Sequence, residues 1–114
     1  MDKFERIETA MQTVQYEASD VIKSTCLSAL NHSIDENGDI VHTTMSKLQS
    51  RLADDYDITP GGAESRIRTL RNCMMKSLTS DDRSKIFGEQ YKTNTLITNY
   101  EFIYLLSKYI ISIW

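Results

Sequence analysis

Four basic side chains and one acidic one lie between Gly61 and Lys76, a local charge of +3 in a chain whose net charge is −3. Placed on a helix at 100° per residue, Ala63, Ile67, Leu70 and Met74 form one apolar stripe. Ser65, Arg68, Thr69 and Asn72 then project from the opposite side, together with Gly62 and Lys76. Serine, arginine, threonine and asparagine are the side chains that read base edges: arginine pairs bidentately with guanine, asparagine with adenine. These four are the expected base-facing residues. Arg66 and Arg71 flank the stripe and Lys76 lies towards its end, and all three are expected on phosphates.

Such a face reads DNA only if a second helix holds it in the major groove. The segment before it supplies that helix and a tight turn, so a helix-turn-helix is expected over about residues 43–77, with the recognition helix at about 61–77. Ala53 is small enough for two helices to touch, and Ile58 closes the turn. Thr59 caps the second helix, and Pro60 is tolerated in its first turn. Ala63 and Ile67 pack the recognition helix inward. Asp54, Asp55 and Asp57 crowd the turn and would repel a nearby phosphate.

The remaining chain reads as further helices around one core. Phe4, Ile7, Met11 and Val14 recur at helical spacing within a first segment from Asp2 to about Tyr16. Ser19-Asp20 opens a second helix whose face carries Val21, Ile22, Cys26, Ala29 and Leu30. Residues 33–39 form the strongest loop, with Asn37-Gly38 at its tip. Asp35, Asn37 and Asp39 alternate as in a calcium loop, but glycine and glutamate are missing from the positions an EF-hand requires. Thr79 is placed to cap a short fifth helix ending near Phe87-Gly88, and residues 89–95 are polar and irregular. Thr98 and Glu101 form a capping box ahead of an apolar final helix. On that helix Phe102, Leu105, Leu106, Tyr109, Ile110 and Ile113 are expected to share one buried stripe. Being apolar nearly all round, residues 99–113 are also expected to form a homodimer contact.

The 114 residues and 40% hydrophobic content fit one domain, 1–114, all-α, a bundle of about six helices. One proline and four glycines are too few for a sandwich or barrel. Cys26 and Cys73 are far apart and fall in apolar helical patterns, so both read as small buried hydrophobes. With no apolar leader and no membrane-length segment, a cytoplasmic location without membrane association is expected. His32 and His42 have no nucleophile or metal spacing, and Gly61-Gly62 lacks the lysine of a phosphate loop. No catalytic residue, cofactor, metal or small-molecule substrate is therefore expected.

Leu52-Ala53, Tyr56-Asp57-Ile58-Thr59, Ala63-Glu64 and Ile67-Arg68 resemble, without a gap, the C-terminal DNA-binding effector domain of the stage zero sporulation protein A family, transcription factors of endospore-forming bacteria. Ile86-Phe87-Gly88 and Thr98-Asn99-Tyr100-Glu101-Phe102-Ile103 are similar to two further motifs of that family in the same order. The resemblance spans about residues 29–110. It implies a six-helix bundle whose third and fourth helices bind duplex DNA, as tandem dimers. By position Glu64 and Arg68 match polar recognition-helix residues, whereas Gly62 and Ser65 stand where the family has arginine, and Thr69 where it has histidine. The family's receiver domain has no counterpart within these residues, so the resemblance implies nothing about phosphorylation control. The function expected is a sequence-specific transcriptional regulator acting in sporulation. The alternative is a protein-interaction module that keeps the helix-turn-helix and no longer binds DNA, to which the acidic balance points.

Overall fold

The computed structural model describes residues 1–114 as six α-helices: α1 (Lys3–Met11), α2 (Asp20–Ser33), α3 (Met45–Tyr56), α4 (Pro60–Ser77), α5 (Ser80–Phe87) and α6 (Asn99–Ile113). A single 3-10 turn, Glu89–Tyr91, interrupts the polar connection before α6. There is no sheet; Ile34 and Ile40 make one isolated antiparallel bridge across the 33–39 loop. No helix is long and apolar enough to cross a membrane.

Every helix begins on a side-chain cap. Asp2, Ser19, Thr44, Thr59, Thr79 and Thr98 each accept the backbone N–H three residues on, at 2.8–3.3 Å. Each cap satisfies an amide that the helix itself leaves without a partner and contributes about 1 kcal/mol. Lys3 serves an opposite end: its Nζ donates to the carbonyls of Asn31 and Ile34 at 2.8 and 2.9 Å, placing a cation at the negative terminus of α2.

One core of 26 buried residues draws on all six helices. From α4 it takes Ala63, Ile67, Leu70 and Met74, the stripe expected from the sequence, and adds Met75. From α3 it takes Leu48, Leu52 and Ala53. α4 packs against α2, α3 and α6, and is the central strut of the bundle. Arg83 closes the far end: its guanidinium donates to the carbonyls of Leu78, Tyr91 and Lys92 at 2.7–3.1 Å, tying the end of α4 to α5 and the 3-10 turn. The Trp114 indole lies against Gly38, where an added Cβ would approach the ring to 3.3 Å. The Arg6 guanidinium sits 5.6 Å from the centre of the same ring.

Four expectations are corrected. α1 stops at Met11, because Thr13 and Val14 turn the chain by bonding to the carbonyls of Ala10 and Met11. Val14 is buried beyond the helix, while Phe4 and Val21 face solvent. Cys73 is only half-buried, unlike Cys26. The buried side of α6 is rotated: Ile103 and Ser107 enter the core with Phe102, Leu106 and Ile110, whereas Ile113 is 42% exposed. Leu105 and Tyr109 are half-buried at the edge of that face.

The connection from α3 to α4 has three residues, Asp57–Thr59, and reverses the chain through a left-handed residue. Asp57 has φ 52° and ψ 49°, and the Ile58 N–H reaches back to the Ala53 carbonyl at 3.0 Å. That bond is the six-to-one closure of a Schellman turn, with Ile58 folded back onto the end of α3. Left-handed backbone costs an L-residue about 1–2 kcal/mol, and aspartate tolerates it better than most. Asp57→Gly is expected to raise stability by up to about 1 kcal/mol, the relief of strain exceeding the entropy of glycine in the unfolded chain. Asp57→Val is expected to lower it by about 1–2 kcal/mol. Thermal melts of the two variants check this; equal melting temperatures would show that the turn is unstrained.

Candidate nucleic-acid interface

The α4 stripe that faces the core fixes what the helix shows to solvent. Arg68, Thr69, Asn72 and Lys76 are exposed, and Ser65, Arg66 and Arg71 are half-buried. Of the packing residues expected from the sequence, Ala53, Ala63 and Ile67 are buried and Ile58 is half-buried. All four lie at the α3–α4 junction, with Thr59 capping α4 through Gly62 N–H at 3.0 Å. A Cβ on Gly62 would come within 3.3 Å of that cap oxygen, so the smallest residue leaves the cap undisturbed.

The polar side of α4 is cross-linked rather than free. Arg68 donates from Nη1 to Glu64 Oε2 at 3.2 Å and from Nη2 to Ser65 Oγ at 3.3 Å. Glu64 Oε1 also accepts from Asn99 Nδ2 at 3.4 Å, across to the first turn of α6. Asn99 Oδ1 in turn accepts from Arg71 Nη1 at 2.9 Å, and Arg71 reaches Asn72 Oδ1 at 3.3 Å. Ser65, Arg68, Arg71 and Asn72 are thus brought into one network through Glu64 and Asn99. Thr69 and Lys76 stand outside it. Arg66 is directed elsewhere, its guanidinium 4.8 Å from the centre of the Tyr56 ring on α3.

Magnitudes decide whether this network closes the face. The Arg68–Glu64 pair is a surface i,i+4 contact, with 51% and 34% of the two side chains exposed, and such pairs contribute about 0.3–0.5 kcal/mol. A bidentate arginine–guanine contact discriminates by about 1–3 kcal/mol. The pair is therefore weaker than a bidentate base contact would be, and it costs little to break. Arg71 is bound more firmly, through the neutral Asn99 amide at the α4–α6 junction.

The acidic turn is less uniform than its sequence suggests. Asp55 accepts from Ser28 Oγ at 2.7 Å and meets His32 Nε2 at 2.6 Å, so this carboxylate joins α3 to α2. Beside it the Tyr56 hydroxyl lies 2.6 Å from Ser24 Oγ. Ser24, Ser28 and His32 recur every four residues on α2 and form a polar seam against the end of α3. This seam escapes a sequence reading, since none of its members is distinctive; the i, i+4, i+8 spacing is the one available signal. Asp54 and Asp57 stay exposed beside the turn.

Asp55 lies between Ser28 and His32 and does not leave serine bonded to histidine, as nucleophilic catalysis requires. No three histidine, cysteine, aspartate or glutamate side chains gather as a metal site. Burial pushes the Cys26 thiol up to about 12, so it stays protonated in the core. A scan of protein-family models and searches of curated proteins and of solved structures found no match to this chain.

Burial acts to raise the Asp55 carboxyl, but the Ser28 and His32 hydrogen bonds and the imidazolium charge outweigh it and hold the group below its ordinary value of 3.8. A depressed folded-state value means stability that is present above the ordinary carboxylate range and is lost as pH falls through the folded value. With 40% of the Asp55 side chain exposed, solvent limits this contribution to no more than about 1 kcal/mol. Asp55→Asn is expected to narrow the difference in melting temperature between pH 6 and roughly pH 3. An unchanged difference would place the acid sensitivity elsewhere.

Proposed function

We propose that this chain is a sequence-specific DNA-binding regulator in which α3, the Asp57–Thr59 turn and α4 act as a helix-turn-helix with α4 in the major groove. The observation that carries the reading is the exposed row Arg68, Thr69, Asn72 and Lys76 on a helix whose opposite side is buried without a gap. A three-residue turn and a hydroxyl-capped α4 start are what such a unit requires. The motifs resembling the sporulation effector domain fall on α3–α4, the end of α5 and the start of α6, and point the same way. In this reading Ser65, Arg68, Thr69 and Asn72 face bases, Lys76 and Arg71 approach phosphates, and Arg66 steadies the turn through Tyr56. Activity in the bacterial cytoplasm as a sporulation regulator belongs to the same proposal.

Asp54 and Asp57, exposed beside the turn, favour a second reading. There the acidic edge beside the turn binds a basic protein surface, and the chain binds no DNA. The readings separate on salt: phosphate contacts release counterions, so DNA affinity falls steeply as salt rises.

The regulator is further proposed to act as a homodimer through α6, residues 99–113. Its inner side is consumed by the core, so the contact would use Tyr100, 50% exposed, with Tyr104 stacked on it at 6.1 Å. Sedimentation at micromolar concentration is expected to show a dimer that Tyr100→Glu dissociates; monomer alone in the unaltered protein would remove α6 as an interface.

Selection from random duplex DNA, at low and then physiological salt, is expected to enrich one motif. Arg68→Ala should weaken binding to it by about 1–3 kcal/mol and relax one position. An equal loss on every sequence would make Arg68 a phosphate contact, and no enrichment at either salt would overturn the DNA reading in favour of a protein partner.

A further inference from the structure

An open cleft of about 770 Å³, counting its mouth, lies where α1, the end of α5 and the end of α6 meet. Small-ligand sites span about 300–1,000 Å³, so the size is sufficient. None of its lining comes from α3 or α4. Its charged side chains are Arg6 on α1 and Lys85 on α5, and no Asp or Glu borders it. Tyr109, Ile113 and Trp114 supply an apolar side, and Ile113 is 42% exposed.

Acidic side chains outnumber basic ones by 16 to 13 in this chain, so a cleft with two cations and no carboxylate departs from its own balance. The adjoining cleft along α1 shows the contrast, with Glu8 set against Lys23. The four ion pairs of the fold engage Lys3, His32, Arg68 and Lys92, and Arg6 and Lys85 have no such partner. Arg6 makes one long hydrogen bond, from Nε to the Met1 carbonyl at 3.4 Å, which leaves both Nη groups free. Its guanidinium is nonetheless held in place, 5.6 Å from the centre of the Trp114 ring. Thr9, three residues on, shares that face of α1, and its hydroxyl reaches only the Met1 sulfur, at 4.0 Å.

We propose that this cleft binds a small amphipathic carboxylate, its acid group on Arg6 and Thr9 and its apolar body against Ile113 and Tyr109. A guanidinium presents paired N–H donors that match the two oxygens of a carboxylate, and Lys85 adds positive charge in the same cleft. A neutral apolar molecule would leave Arg6 unmatched, and an inorganic anion would leave Ile113 in water. One molecule with both parts covers both. The site is independent of DNA binding and shares no residue with the α4 face or the Tyr100 contact.

Naphthoate, with naphthamide as the same skeleton lacking the charge, is the probe. Titration of the full chain, followed by amide and indole NMR shifts, is expected to saturate with naphthoate at a dissociation constant on the order of 1 mM, the range open to about thirteen heavy atoms. The shifts should centre on residues 6–13 and 109–114, the Trp114 indole N–H among them. Naphthamide should bind roughly threefold to tenfold more weakly, and naphthoate should weaken as salt rises. Arg6→Gln and Lys85→Gln should each lower naphthoate affinity about twofold to fivefold and leave naphthamide unchanged. Absence of saturable shifts, shifts centred on residues 64–76, or equal binding of the two probes to the unaltered protein would overturn the proposal. Naphthoate affinity unchanged in both variants would do so as well, leaving the two cations as partners of the α6 carbonyl end alone.

Discussion

The bundle turns on a single left-handed residue. With Asp57 at positive φ, the Ile58 amide returns to the Ala53 carbonyl, and α4 starts two residues later on the Thr59 cap. A longer connection would leave the angle between α3 and α4 loose; a right-handed residue at 57 would carry α3 onward in its own direction. Once the angle is set, the Ala63–Met74 stripe meets the core, and the direction of every polar side chain on α4 follows from the helical repeat. Ala53 permits the close approach and Ile58 seals it, so local backbone geometry and side-chain packing specify the same corner.

Much of this was legible in the residues. Polar caps at Ser19, Thr59, Thr79 and Thr98 mark helix starts because serine and threonine satisfy free amides there, and the α4 periodicity predicts its buried stripe. Legibility failed where long-range partners decide. α6 is apolar in so many directions that periodicity could not orient it, and packing chose Ile103 and Ser107 over Ile113. Arg83 reads as an ordinary charge on a short helix; only the fold shows three backbone carbonyls converging on it. In the same way Asp55 counts as a repulsive charge in the sequence, while in the structure Ser28 and His32 occupy it.

The candidate interface shows the same division. Residue types and spacing identify the outward face of α4, yet they treat its arginines as equivalent. The fold separates them: Arg68 rests against a carboxylate it can leave cheaply, Arg71 is held by Asn99 from another helix, and Arg66 lies on an aromatic ring. A side chain already held in place loses less rotamer freedom on meeting a partner than one that must be immobilised from solution. Glu64 has a double role here. It lowers the positive potential of the face, and it holds the Arg68 guanidinium at 3.2 Å.

Trp114 is the only tryptophan in the chain, and its ring joins three distant parts of the sequence: the α6 end that carries it, Gly38 in the loop after α2, and Arg6 on α1. The molecule therefore contains its own optical reporter. Indole emission responds to neighbouring charge and to water, so its wavelength follows the seating of α6 on the opening helix and the 33–39 loop, without an added label and separately from events at α4.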